Sequence, residues 1–170
     1  MNPVETWFTP MTEFPTGIQE LQNLYRFALI LSNDPVITEE ALDQSVQEAL
    51  RSAISDPNHA FITLILNLRK RILLKVKPHH TEDDIPLSTA DLPPDAASVL
   101  SSRSQDELLS AMHHLVEPQR TAYVLWHLDI MDLHDLARLL GLTQDEVSLK
   151  LQNARQALLH AFTQQPSGTP

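Results

Sequence analysis

His79 and His80 stand beside Glu82, Asp83 and Asp84, residue types that ligate divalent metals. Adjacent histidines in a segment rich in Pro, Ser, Asp and Thr do not fix a coordination geometry, so no metal is expected there. His113 and His114 fall in a helical stretch, where neighbours point about 100° apart and do not share one ion. The chain has no cysteine, which removes thiolate nucleophiles, thiolate metal sites and disulfides. There is no nucleophile–base pair, phosphate-cradling glycine loop or dinucleotide fingerprint. Neither catalysis nor a cofactor is expected.

What remains is charge. The formal net charge is −10, which opposes non-specific attraction to nucleic acid or anionic lipid over the molecule as a whole. Five of the twelve Lys and Arg residues nevertheless fall together as Arg69, Lys70, Arg71, Lys75 and Lys77, with no acid between Asp56 and Glu82. Such a run either faces phosphate or is a solvated helix end, where cations suit the helix dipole.

Helices must position these groups. Only three glycines are present, and no segment alternates apolar and polar residues with period two, so the fold class expected is all-α. Ile18, Leu21, Leu24, Tyr25, Ala28 and Leu29 lie along one stripe of a first helix, which Asn33-Asp34-Pro35 ends. A second starts near Thr38 and buries Leu42, Val46, Ala49, Leu50 and Ala53. Asp56-Pro57 caps a third, with Phe61, Leu64, Ile65, Leu68 and Ile72 inward. Residues 78–103 read as an exposed linker. Two small helical bundles are therefore expected, over residues 16–77 and 104–163.

In the second unit, Ser104 and Glu107 fit a capping box, and Glu117-Pro118 opens a helix with Ala122, Tyr123, Leu125 and Trp126 inward. Asp132 caps a short helix ending at Leu139-Leu140, and Gly141 supplies the left-handed residue that closes it. Thr143 and Glu146 open a longer helix with Val147, Leu151, Ala154 and Leu158 on one face. Tyr25, Phe61, Tyr123 and Trp126 fit core stripes, whereas Trp7, Phe8 and Phe14 lie outside any clear helix. A short helix, a Gly141-Leu142-Thr143 turn and a longer amphipathic helix describe a helix-turn-helix, although an ordinary helical hairpin shares that outline.

The succession Leu115 and Arg120, Asp129, Asp135-Leu136-Ala137, Leu140-Gly141-Leu142-Thr143, Val147, Ala154-Arg155 and Leu158 resembles the promoter-reading C-terminal domain of bacterial sigma factors, in particular the extracytoplasmic-function class. The stretch Leu24 to Asp34 and Gln44 are similar to that family's polymerase-binding, promoter-melting domain. Together the two resemblances span about 120 of 170 residues. They imply core RNA polymerase as partner through Asp43, Gln44 and Gln47, and an upstream promoter contact by Arg69, Lys70, Arg71, Lys75 and Lys77. They also imply that Thr143, Gln144, Ser148, Lys150 and Arg155 read DNA.

The chain departs from the family pattern at Ala41 and Ser45, where acids are expected, and at Ser148 and Asn153, which are commonly basic. Between Asp106 and Gln165 eight acids face four bases, so DNA affinity alone is expected to be weak. A non-catalytic interaction module on the same scaffold, with an anti-sigma-like or other regulatory partner, is the alternative. The start lacks a secretory pattern and no apolar run reaches the roughly 20 residues of a membrane span, so a cytoplasmic protein without membrane contact is expected.

Overall fold

A computed structural model describes residues 18–52, 54–77 and 96–164. The expectations for His79 to Asp84, for Trp7, Phe8 and Phe14, for Ala53 and for most of the linker lie outside the described residues. Among those described there are eight helices and no strand, so the all-α class holds. They are α1 (Ile18–Ser32), α2 (Pro35–Arg51), α3 (Pro57–Lys75), α4 (Ala96–Ser101), α5 (Gln105–His113), α6 (Gln119–His127), α7 (Leu133–Leu140) and α8 (Gln144–Gln164). No described helix is long and apolar enough to cross a membrane.

The first three helices form a layer around Leu24, Phe27, Leu31, Ile65, Leu68 and Ile72, all fully buried. α2 begins at Pro35 and not near Thr38, because the Asp34 carboxylate accepts hydrogen bonds from Val36 N and Ile37 N. Asn33, in a left-handed conformation at φ 52°, makes the reversal from α1. Asp34-Pro35 thus works as Asp56-Pro57 does before α3, a cap followed by a proline whose missing N–H costs nothing there.

α1 is more deeply buried than one stripe requires. Phe27, Ile30 and Leu31 are buried along with Leu24 and Ala28, because α2 and α3 cover one side and α5 and α6 the other. The two halves of the chain share a continuous apolar cluster running from Leu24 to Phe162.

Polar contacts cross the same seam. Asn23 Nδ2 donates to Leu128 O at 3.1 Å, and buried His113 donates from Nδ1 to Ile30 O at 2.7 Å. Glu117 is the hub. One carboxylate oxygen accepts from Arg69 Nη2 of α3 at 3.1 Å and from the Thr121 hydroxyl at 2.6 Å, and the other accepts from Arg120 Nε at 3.0 Å. Arg69 Nε also donates to Thr121 Oγ1 at 3.0 Å, and Arg120 Nη1 to His113 O at 3.0 Å.

Further sequence expectations are corrected. Leu50, placed in the buried stripe of α2, is half exposed. Residues 96–101, assigned to the linker, are helical and pack on α8, where Arg103 lies 4.9 Å from the Phe162 ring centre. Trp126, assigned to the core, is half exposed, its ring 6.1 Å from that of buried Tyr123.

With a continuous core, the described helices should unfold together, as a single urea transition seen alike by circular dichroism and by Trp126 fluorescence in a Trp7→Phe background. Glu117→Ala leaves the buried Arg120 guanidinium without its carboxylate and is expected to cost about 2–3 kcal/mol in that assay.

Candidate nucleic-acid and partner interface

The turn-linked pair α7–α8 is built by local chemistry. The Asp132 carboxylate accepts from Asp135 N at 2.8 Å and fixes the start of α7. Gly141 ends it at φ 66°, ψ 33°, while Leu142 N reaches back to Ala137 O at 3.0 Å. A Cβ at Gly141 would meet nothing within 4 Å, so the reason for glycine is the left-handed backbone itself, worth about 1–2 kcal/mol to other residues.

α8 then opens with a reciprocal cap. Glu146 Oε2 accepts from Thr143 N at 2.7 Å and from the Thr143 hydroxyl at 3.0 Å, while Glu146 N donates to Thr143 Oγ1 at 3.2 Å. These bonds hold the Glu146 carboxyl below its ordinary range, Lys150 adding a smaller pull. Val147, Ala154 and Leu158 are buried against the bundle, and Leu151 is partly buried.

The opposite face of α8 is what a partner would meet. Gln144, Asp145, Glu146, Leu149, Gln152 and Arg155 are exposed, whereas Ser148 and Lys150 are half-buried. Leu149, half exposed, stands four residues from Asp145, so the first two turns present two acids and an apolar side chain. Thr143 is engaged in the cap, and Gln144 Nε2 lies 3.4 Å from His134 Nδ1. Arg155 acts electrostatically on Tyr123, whose phenol burial pushes up and Arg155 pulls down. His127 stacks on that phenol at 5.8 Å, and burial holds its imidazole below the ordinary range. Acids at a helix N-terminus suit its dipole but repel phosphate.

The cationic patch on α3 is largely engaged within the molecule. Arg69 is in the Glu117 cluster, Arg71 Nη2 pairs with Glu48 at 2.6 Å and Nη1 donates to Gln44 at 2.9 Å, and Lys75 pairs with Glu40 at 2.6 Å. Lysine pairing and its hydrogen bond hold the Glu40 carboxyl below the ordinary range. Lys70 and Lys77 remain exposed without an ion pair among the described residues. Of the residues assigned to polymerase contact, Gln44 therefore touches Arg71, one of those assigned to DNA, and Gln47 Nε2 donates to Asp43 at 3.0 Å.

Sequence reasoning passed over Glu40, Glu48 and Glu117 as partners of those cations. A signal existed for the first two: Glu40, Gln44 and Glu48 recur every four residues on α2, the spacing of one helix face, opposite Arg71 and Lys75 on α3. For Glu117 the sequence carries none, since Arg69 lies 48 residues away.

Among the described residues no group of three His, Asp or Glu side chains is placed to hold a metal ion. Compared with known proteins, the chain matches no family model, no curated protein and no solved structure.

The Thr143–Glu146 cap makes α8 acid-sensitive. Because folding lowers the Glu146 pKa, the cap's stability is fully present above the ordinary glutamate value of 4.5 and is lost as pH falls through the lower folded value. Glu146→Gln is expected to flatten that acid limb of the stability curve, as read by thermal melts across pH.

Proposed function

We propose that the chain is a non-catalytic, sigma-like transcription initiation protein of the cytoplasm that binds core RNA polymerase and reaches promoter DNA only within that complex. The observation that carries the proposal is the α7–α8 pair: a short helix, a left-handed Gly141 and a capped longer helix with an exposed outer face. This is the geometry by which helix-turn-helix proteins lay a second helix in the major groove. The resemblance of residues 115–158 to the sigma promoter-reading domain supplies the biological setting.

Charge argues for dependence on a partner. Of the α8 cations only Lys150 and Arg155 are available to phosphate, and Asp145 and Glu146 precede them. Three of the four α3 cations are held by Glu117, Glu48 and Glu40, and Lys77 lies just past the helix. Polymerase would supply the missing affinity by holding the chain at high effective concentration over its site.

A second reading is a protein-interaction module on the same scaffold, with α8 facing a regulatory protein and no DNA. Exposed Leu149 beside Asp145 and Glu146 favours it, because an apolar side chain flanked by two acids suits a cationic amphipathic surface better than phosphate.

The two readings separate in one titration series. Alone, the chain is expected to bind duplex DNA more weakly than about 10 µM near physiological salt, with a log–log salt slope of no more than about four, one unit for each of Lys150, Arg155 and, unpaired among the described residues, Lys70 and Lys77. With core polymerase added, promoter fragments should be retained over scrambled ones, and Lys150→Ala with Arg155→Ala should abolish that preference. A polymerase complex without promoter preference would favour the interaction module, and no polymerase complex at all would overturn the sigma-like reading.

A further inference from the structure

Gln44, Gln47, Glu48 and Arg51 of α2 and Arg71 of α3 line an open polar groove of about 320 Å³. At about 30 Å³ per water, that is room for on the order of ten waters, or for one side chain from another molecule.

The groove is one anion short. Arg71 gives one N–H to Glu48 at 2.6 Å and one to Gln44 at 2.9 Å, but its Nε is buried and has no acceptor. A buried donor left unpaired is costly, and most such groups in folded proteins find a partner. Arg51, exposed, has Gln47 Oε1 at 3.4 Å and no carboxylate within ion-pair distance among the described residues. Two guanidiniums therefore line the groove with one carboxylate, Glu48, which pairs with Arg71 alone. The negative end of the α2 dipole near Arg51 is a smaller, screened term.

The missing anion is better a carboxylate than a nucleic-acid backbone. A planar carboxylate matches the guanidinium fork with two parallel hydrogen bonds. A duplex would bring a phosphate about every 1.7 Å of axis past Glu39, Glu40 and Asp43, which occupy the same helix.

We propose that this groove receives an aspartate or glutamate side chain of a protein partner, with Arg51 as its first contact, Arg71 as its second, and Glu48 as the internal competitor the incoming carboxylate displaces. The assignment rests on the reading of α2 as a partner-facing helix, and gives that helix a cationic receptor for an acidic partner.

The test uses the full chain with isotope-labelled arginine and follows the Nε–H signals of Arg51 and Arg71 by NMR during titration with a tetraglutamate peptide at low salt. Both signals should move. Arg51→Gln should weaken the peptide about tenfold and Glu48→Gln should tighten it about threefold, whereas Glu39→Gln, the same charge change outside the groove, should do much less. Signals that ignore the peptide, a Glu48→Gln variant that binds no tighter than Glu39→Gln, or a short DNA duplex that moves the signals while the peptide does not, would each overturn the proposal. Core polymerase capture, run in parallel, separates the two questions. Capture lost in Arg51→Gln extends the groove to polymerase, whereas peptide binding without any capture keeps the groove and removes the sigma-like reading.

Discussion

The charge this chain can offer to any partner depends on where its few cations find their carboxylates. Glu117, at the start of α6, draws Arg69 across from α3 and holds Arg120 and Thr121 in the same cluster. Thr121 is fully buried and Arg120 nearly so, so their polar groups must be satisfied internally. The pairs Arg71–Glu48 and Lys75–Glu40 repeat the arrangement between α2 and α3. Pairs as exposed as these last two add little stability. Their larger consequence is electrostatic, since a cation that faces a carboxylate at 2.6 Å offers little net charge to phosphate.

The Glu117 cluster crosses between the two halves beside their shared apolar core, and the pairing as a whole decides which cations stay open. The α7–α8 pair keeps the outline of a reading head, yet its outer face leads with Asp145, Glu146 and Leu149 before Lys150 and Arg155. The outer side of α2 keeps Arg51 and a polar groove. Both surfaces are better suited to a protein than to bare DNA, which is why a partner stands at the centre of the functional reading.

Much of the local structure was legible because it is set by neighbours in sequence. The caps at Asp56, Ser104, Asp132 and Thr143, the left-handed Gly141 and the buried stripe of α8 all follow from residues within four positions of one another. Asp34-Pro35 carried the same signal as Asp56-Pro57 but was masked by its second possible role, closing α1. What could not be read was contact between halves. Phe27 and Leu31 lie off the single stripe predicted for α1 because a second layer covers them, and Trp126 is left half exposed. For the candidate site, the residue types were legible and their pairing was not: Arg69, Arg71 and Lys75 read as free cations until Glu117, Glu48 and Glu40 were seen beside them.

On the proposed function, internal carboxylates withhold Arg69, Arg71 and Lys75 from nucleic acid. The most direct measurement is the salt dependence of duplex DNA binding by a Glu40→Gln, Glu48→Gln double variant, which leaves the Glu117 cluster and the core intact. Release of Lys75 and Arg71 should steepen the log–log slope by about two units over the unsubstituted chain. An unchanged slope, with the fold verified, would contradict the claim.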